Sequence, residues 1–239
     1  MKLSQILFFE FGFFLFIINI KYAKIYLYFM ELIIMGAFIT FEGGEGSGKT
    51  TIIRKIVASL ENLGYSVVST REPGGIDIAE QIRDIILKKE NTKMTKETEA
   101  LLYAASRMQH LSERVIPALN EGKIVICDRY LDSSLAYQGY ARGLGIENVL
   151  QANHFALDHL PDLTFFIDVT PEVGLKRIER RNELNRLDLE KLDFHHKVYE
   201  GYLKLCEMYP KRIIKINGER SIDAVYNDVL NKILAYLKR

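Results

Sequence analysis

Phe41-Glu42-Gly43-Gly44-Glu45-Gly46-Ser47-Gly48-Lys49-Thr50-Thr51 is the stretch from which the rest of the chain can be read. Residues 43–50 satisfy G-x-x-x-x-G-K-[ST], a loop whose glycines let backbone N–H groups turn inward around phosphate oxygens. Ala37 to Glu42 before it reads as a short buried strand. Ile52, Ile53, Ile56, Val57 and Leu60 after it mark one face of a helix beginning near Lys49. The positive end of that helix adds to the anion site. Gly43, Gly44, Glu45, Gly46, Ser47, Gly48, Lys49, Thr50 and Thr51 form the candidate nucleoside-triphosphate loop. Lys49 would reach the β- and γ-phosphates, and the Thr50 hydroxyl would hold Mg²⁺.

Outward from this loop, strand and helix alternate. Strands are predicted at Ser66–Thr70, Lys123–Cys127, Leu163–Val169 and Arg212–Ile216. Ile78, Ile82, Ile85 and Ile86 mark a second amphipathic helix, and a long helix covers about 96–120, with Pro117 kinking its last turn. Helical stretches fill about 172–181 and 188–208, and Ser221 caps a final helix. Strands separated by helices imply right-handed crossovers. The fold class is therefore α/β: a five-stranded parallel sheet with helices on both faces.

The remaining arithmetic is permissive. The chain has 239 residues, enough for a large core in one domain or two. With 32 Lys+Arg against 31 Asp+Glu, it lacks the basic excess of a dedicated nucleic-acid binder. Cys127 and Cys206 are the only cysteines, too few for a disulfide framework or a thiolate zinc cage. A reducing, cytoplasmic setting is the simplest.

A phosphate loop does not name a reaction; the ends of the other strands discriminate. The second strand ends in Arg71-Glu72-Pro73-Gly74-Gly75, and the third in Asp128-Arg129-Tyr130, followed by Ser133-Ser134 and Tyr137-Gln138-Gly139. Arg83 and Arg107 lie in the helices between. Guanidinium forks match phosphate oxygens in bidentate fashion, so a second, phosphate-bearing substrate is expected.

FEGGEGSGKTT (41–51), TREPGG (70–75), LLYAASRMQH (101–110), DRYLDSSLAYQGYARG (128–143), PDLTFFIDVTPEVGLKRI (161–178) and RRNELNRLD (180–188) together resemble the bacterial thymidylate kinase family. The likeness covers about residues 35–239. It implies a P-loop nucleoside-monophosphate-kinase-like fold with a mobile lid at about 178–190. It also implies transfer of the γ-phosphoryl group of MgATP to dTMP, and a homodimer. Carried over by motif, Glu45 contacts the dTMP 3′-hydroxyl, and Arg71 and Arg129 clamp its phosphate and the transferring group, with Arg83 nearby. Tyr103 stacks on thymine, while Arg107, Ser134 and Gln138 contact the base. Tyr137 crowds the sugar C2′. Asp128 joins Thr50 as the Mg²⁺ acid. Where some relatives carry an arginine inside the phosphate loop, this chain has Gly46, so a lid residue, Arg181 or Arg186, beside Arg180, is expected to swing over ATP on closure and supply the charge. One departure is Asn185-Arg186, where the family usually has Asp-Arg.

The leader, residues 1–34, is compositionally foreign and holds seven of the 13 phenylalanines. Its densest run, Ile6 to Ile20, is 15 residues long and contains Glu10, whereas a spanning helix needs about 20 apolar residues. An over-extended start with the true start at Met35 is the leading reading. A membrane anchor and a cleaved targeting segment are the alternatives. The kinase domain is placed at 35–239.

Overall fold

The computed structural model describes residues 36–179 and 185–238. The leader and lid residues Arg180 and Arg181 lie outside the described residues. Strands β1 (Phe38–Glu42), β2 (Val67–Arg71), β3 (Ile124–Asp128), β4 (Leu163–Asp168) and β5 (Ile213–Asn217) form one parallel sheet in the order β2-β3-β1-β4-β5. Each begins within one residue of its predicted start. The helices are α1 (Lys49–Asn62), α2 (Asp77–Leu87), α3 (Lys96–His110), α4 (Leu131–Ser134), α5 (Ile146–Ala152), α6 (Pro171–Ile178), α7 (Leu192–Met208) and α8 (Ile222–Leu237).

The sheet is buried on both sides because its strands are apolar at odd and even positions alike. Phe38, Val125, Cys127 and Phe166 face one way and pack with Tyr130, Leu135, Val198 and Tyr202. Ile39, Phe41, Ile126, Phe165 and Ile167 face the other way and meet Ile52, Ile56 and Leu60 of α1 and Val225, Val229 and Ile233 of α8. Each such side chain buried contributes about 2 kcal/mol. The Phe166 and Tyr202 rings stack at 5.0 Å, tying α7 to β4.

Three local outcomes differ from the sequence reading. Pro117 has no N–H to close a normal helical bond, and the chain answers one turn earlier, with a π-helical turn at Leu111–Val115 before the last turn Ile116–Asn120. Residues 131–159, where no helix was predicted, hold α4, its π-helical continuation Leu135–Ala141, α5 and a 3₁₀ turn His154–His159. Glycines at 139, 143 and 145 make this stretch look like loop. Finally, α7 starts at Leu192 rather than near 188, because Lys191 is extended.

A polar seam runs through the first face. Thr40 and Thr164 hydroxyls meet at 2.8 Å across β1 and β4. Arg212 donates to both carboxylate oxygens of Asp132, at 2.6 and 2.8 Å, and to Thr164 at 2.9 Å. Asp132 is buried, so its charge depends on that guanidinium. Removing one partner of such a pair costs about 3 kcal/mol. Arg212→Met should therefore lower stability in urea unfolding by about that amount, whereas Arg220→Met, which breaks the exposed pair with Asp228, should cost under about 1 kcal/mol.

Candidate active site

Sheet register gathers the site. Arg71 pairs with Asp128, and Asp128 with Phe41, so the carboxyl ends of β2, β3 and β1 finish at one level. The phosphate loop leaves β1 there. Lys49 Nζ donates to the carbonyls of Gly43 and Gly44 and to Ser47 Oγ at 3.0–3.1 Å. Burial, then Arg129, brings its ammonium down to about 8, against the pull of Asp128 and Glu45. Thr50 Oγ1 donates to Asp128 Oδ2 at 3.0 Å, so the two expected metal-binding groups stand side by side. Among the described residues no cluster of three or more His, Cys, Asp or Glu forms a metal cage. Mg²⁺ takes few protein ligands and completes its shell with phosphates and water, and the Thr50 hydroxyl and Asp128 carboxylate are oxygen donors of the kind it accepts.

A cleft opens beside the loop. It is lined by nearly every residue expected for the acceptor: Glu45, Arg71, Arg83, Tyr103, Arg107, Arg129, Ser134, Tyr137 and Gln138, together with Thr50 and Asp128. Arg129 is the described non-glycine residue with positive φ, at 70°. Its backbone N–H bonds the Phe41 carbonyl at 2.9 Å. Its Nη2 donates to Glu45 Oε1 at 2.7 Å, and its Nη1 to Ser133 Oγ at 3.2 Å and Tyr202 OH at 3.1 Å. The Tyr137 hydroxyl donates to the same Glu45 oxygen at 2.9 Å. Burial would raise the Glu45 carboxyl, but Arg129 and Lys49 hold it down at about 2. Arg71 pairs with Glu80 at 2.7 Å, and Arg83 Nη1 donates to the Pro73 carbonyl at 2.8 Å. Burial and the like charge of Arg71 lower the Arg83 pKa.

Arg107 is buried at the cleft floor, with four of its five N–H groups engaged. It donates to Glu72 at 2.8 Å, Asn153, the Tyr130 carbonyl at 3.1 Å and Ser134 at 3.0 Å. Glu72 also meets His110 Nδ1 at 2.9 Å, and His110 Nε2 lies 2.6 Å from Thr70 Oγ1. Tyr103 lines the cleft from the same helix, and burial raises its hydroxyl pKa.

The lid reading has Arg181 or Arg186 swing over ATP on closure, and of the two Arg186 is described. Its guanidinium instead donates to Glu99 at 2.5 Å and to the Ile86 carbonyl at 2.9 Å, on the acceptor side. Asn185 does not touch it: the Asn185 amide oxygen accepts from the Leu187 and Asp188 N–H groups at 2.8 and 3.2 Å. Glu99 thus supplies the charge that Asn185 lacks.

The sequence reading missed Glu42, Glu72, Glu99, His110 and Tyr202. A signal existed for two of them, since Glu99, Tyr103, Arg107 and His110 recur at helical spacing on α3. It also missed Arg177 of α6, which donates to the Gly46 carbonyl at 3.3 Å. Arg177 and Arg220 line a second cleft, with Ser47, Gly48 and Thr51, on the other side of the loop.

Two clefts flanking a phosphate loop at the carboxyl ends of a parallel 2-3-1-4-5 sheet define a P-loop kinase of the nucleoside-monophosphate class. Known proteins narrow this. The sequence profile described as thymidylate kinase matches residues 41–229. Thymidylate kinase of Clostridium novyi (strain NT) is 63% identical over 197 residues, covering 81% of this chain and 96% of that protein. Thymidylate kinase of Bacillus pumilus (strain SAFR-032) is 56% identical, covering 85% and 98%. The crystal structure of thymidylate kinase from Ehrlichia chaffeensis superposes with a TM-score of 0.69 at 32% identity, covering 83% of this chain and 98% of that one. The chain belongs to the thymidylate kinase family.

Glu42 gives this site a pH signature. Burial, then Asp132, pushes its carboxyl up to about 7, against Arg129 and the bonds from Ser133 and Tyr202. A carboxyl raised above its unfolded value of 4.5 contributes stability while protonated, and that contribution is lost as pH rises toward 7. Glu42→Gln cannot titrate. Between pH 5 and pH 8 the stability of the variant relative to wild type should rise by about 2–3 kcal/mol in urea unfolding. A pH-independent difference would show that Glu42 titrates normally.

Proposed function

We propose the following division of labour for phosphorylation of dTMP to dTDP by ATP. The loop Gly43–Thr51 holds the ATP phosphates, with Lys49 at the β- and γ-groups, and the donor nucleoside lies in the cleft beside Arg177. Thr50 and Asp128 hold Mg²⁺, which when bound neutralises charge on the transferring phosphates. Arg71, Arg83 and Arg129 clamp the dTMP phosphate. Glu45, ionised and fixed by Arg129 and Tyr137, accepts the 3′-hydroxyl, and Tyr137 crowds C2′. Tyr103 stacks on the base, which Arg107, Ser134 and Gln138 contact.

The observation that carries this reading is the convergence of Arg71, Arg83 and Arg129 on a cleft that shares Thr50 with the phosphate loop. Like charges so placed repel until an anion arrives between them. A phosphomonoester is mostly dianionic at pH 7, with its second pKa near 6. Its oxygen is already a nucleophile, so the site needs no general base. Positioning and charge neutralisation remain, and the three arginines supply both. Arg186 anchors the lid's far end on Glu99, and Arg181 is assigned the lid's charge for ATP.

A homodimer and a cytoplasmic location belong to the same proposal. Ile78 and Ile85 of α2 and Leu101 of α3 are about half exposed on neighbouring helices, which supports pairing through that face. Among the described residues no helix is long and apolar enough to cross a membrane.

The test is ADP release with MgATP and dTMP, dUMP, dGMP, AMP or thymidine as acceptor. Strong preference for dTMP with thymidine inert is expected, since thymidine brings no phosphate to the clamp. Preference for another monophosphate would keep the clamp and discard the thymine assignment. Arg129→Lys loses the forked geometry and should lower kcat/KM for dTMP about 100-fold. An effect under threefold would remove Arg129 from the clamp.

A further inference from the structure

Glu99 is a buried carboxylate, 2% exposed, outside every role assigned above except its contact with Arg186. It sits on α3 one turn before Tyr103. Its Oε1 accepts from Gln138 Nε2 at 2.8 Å and from Arg142 Nε at 3.3 Å. Its Oε2 accepts from Arg186 Nη2 at 2.5 Å and Arg142 Nη2 at 3.4 Å. Arg142 is itself packed on the Phe194 ring at 4.2 Å and paired with Glu190 at 2.5 Å, so the cations around Glu99 are fixed in place. Burial disfavours the charged form, yet Arg142, Gln138 and Arg186 together lower the Glu99 pKa.

An ionised carboxylate only accepts hydrogen bonds. Gln138 must therefore turn its NH₂ group toward Glu99, as it does at 2.8 Å. One amide hydrogen is spent on Glu99. The second hydrogen and the carbonyl oxygen are left for the cleft that Gln138 lines. A thymine presents a donor at N3–H and an acceptor at O4. Cytosine presents the reverse, an acceptor at N3 and donors at N4. An amide held in one orientation matches the first edge and opposes the second. A freely flipping amide matches both.

We propose that Glu99 is a positioning residue for base selection: by holding the Gln138 amide against rotation, it makes the acceptor cleft read thymine and reject cytosine. This rests on the reading of Gln138 as a base contact. The selectivity is then a matter of which flip the carboxylate permits, and Arg142 and Arg186 act by keeping that carboxylate ionised.

The experiment compares kcat/KM for dTMP and for dCMP, with MgATP, in the full chain and its variants. Glu99→Gln can either donate to or accept from Gln138, so it frees the amide. The dTMP-to-dCMP ratio should fall at least tenfold, through gain on dCMP as well as loss on dTMP. General damage to the fold would lower both substrates together and leave the ratio alone. Glu99→Asp keeps the charge facing Arg142 and Arg186 but withdraws it from Gln138 by one methylene. It should lower the ratio in the same direction, and decides the matter if the Gln variant does not fold. Gln138→Leu separates the two claims. If it lowers the ratio while both Glu99 variants leave it unchanged, Gln138 reads the base without help and the proposal is overturned. If Gln138→Leu also leaves the ratio unchanged, the base-contact reading falls, and the proposal with it.

Discussion

The carboxylate of Glu42 ties the acceptor side of the cleft to the sheet. It ends β1, fully buried, and accepts from the Tyr130 N–H at 2.7 Å, Ser133 Oγ at 2.6 Å and Tyr202 OH at 2.8 Å. Those three donors belong to the β3–α4 corner and to α7, so one side chain joins three parts of the fold. Ser133 and Tyr202 also receive Arg129 Nη1, and Tyr130 follows Arg129 directly. The left-handed backbone at Arg129 costs about 1–2 kcal/mol. Hydrogen bonds to a charged group contribute about 1.5–3 kcal/mol each, so those that the Arg129 guanidinium makes with Glu45, Ser133 and Tyr202 outweigh that strain. The strain aims a guanidinium that an ordinary extended residue at the strand end would point elsewhere.

The two arginine environments in the cleft do different chemistry because their charge balances differ. Arg107 is neutralised by Glu72 at 2.8 Å and gripped on several sides. The floor it forms is rigid and carries little net charge, which suits an uncharged base edge. Arg71, Arg83 and Arg129 stand at the mouth with Glu45 and Glu80 against them, one cation in excess of the two carboxylates. On the reading proposed above, a dianionic acceptor meets that excess with its base inward and its phosphate toward the loop.

The sheet was legible because the central strands β1, β3 and β4 are apolar nearly throughout and a phosphate loop leaves little choice of topology. Of the cleft residues, those in motifs beside glycine or proline were legible as well. The partners that hold them were not. Glu42 appears as one letter before the loop, and nothing local says that it will meet Tyr202, 160 residues later. Glu99 and His110 lay on a visible helical stripe, but a stripe of polar residues on a helix usually faces water. Here it faces the sheet ends, a fact that only the packing of α3 against its neighbours decides. The partner of Arg186 was hidden for a related reason. The lid motif fixes its neighbourhood in sequence, while its direction depends on Glu99, which is 87 residues away.

The absence of an arginine inside the phosphate loop also has a physical cause. Gly46 has φ of 70°, and a Cβ built on it would lie 2.0 Å from the Gly174 carbonyl oxygen of α6. A Cβ on Gly174 would in turn lie 2.2 Å from the Glu45 carbonyl oxygen. The loop and α6 therefore touch backbone to backbone, and any side chain at position 46 would lift the loop from the helix. Relatives with a loop arginine need a different contact here. In this chain the close approach excludes that cation and, in the same stroke, fixes the helix that leads into the lid. Arg177, one turn along α6, bonds the Gly46 carbonyl from the other side. The end of α6 is thus anchored on the phosphate loop itself, by a backbone contact at Gly174 and a side-chain bond from Arg177.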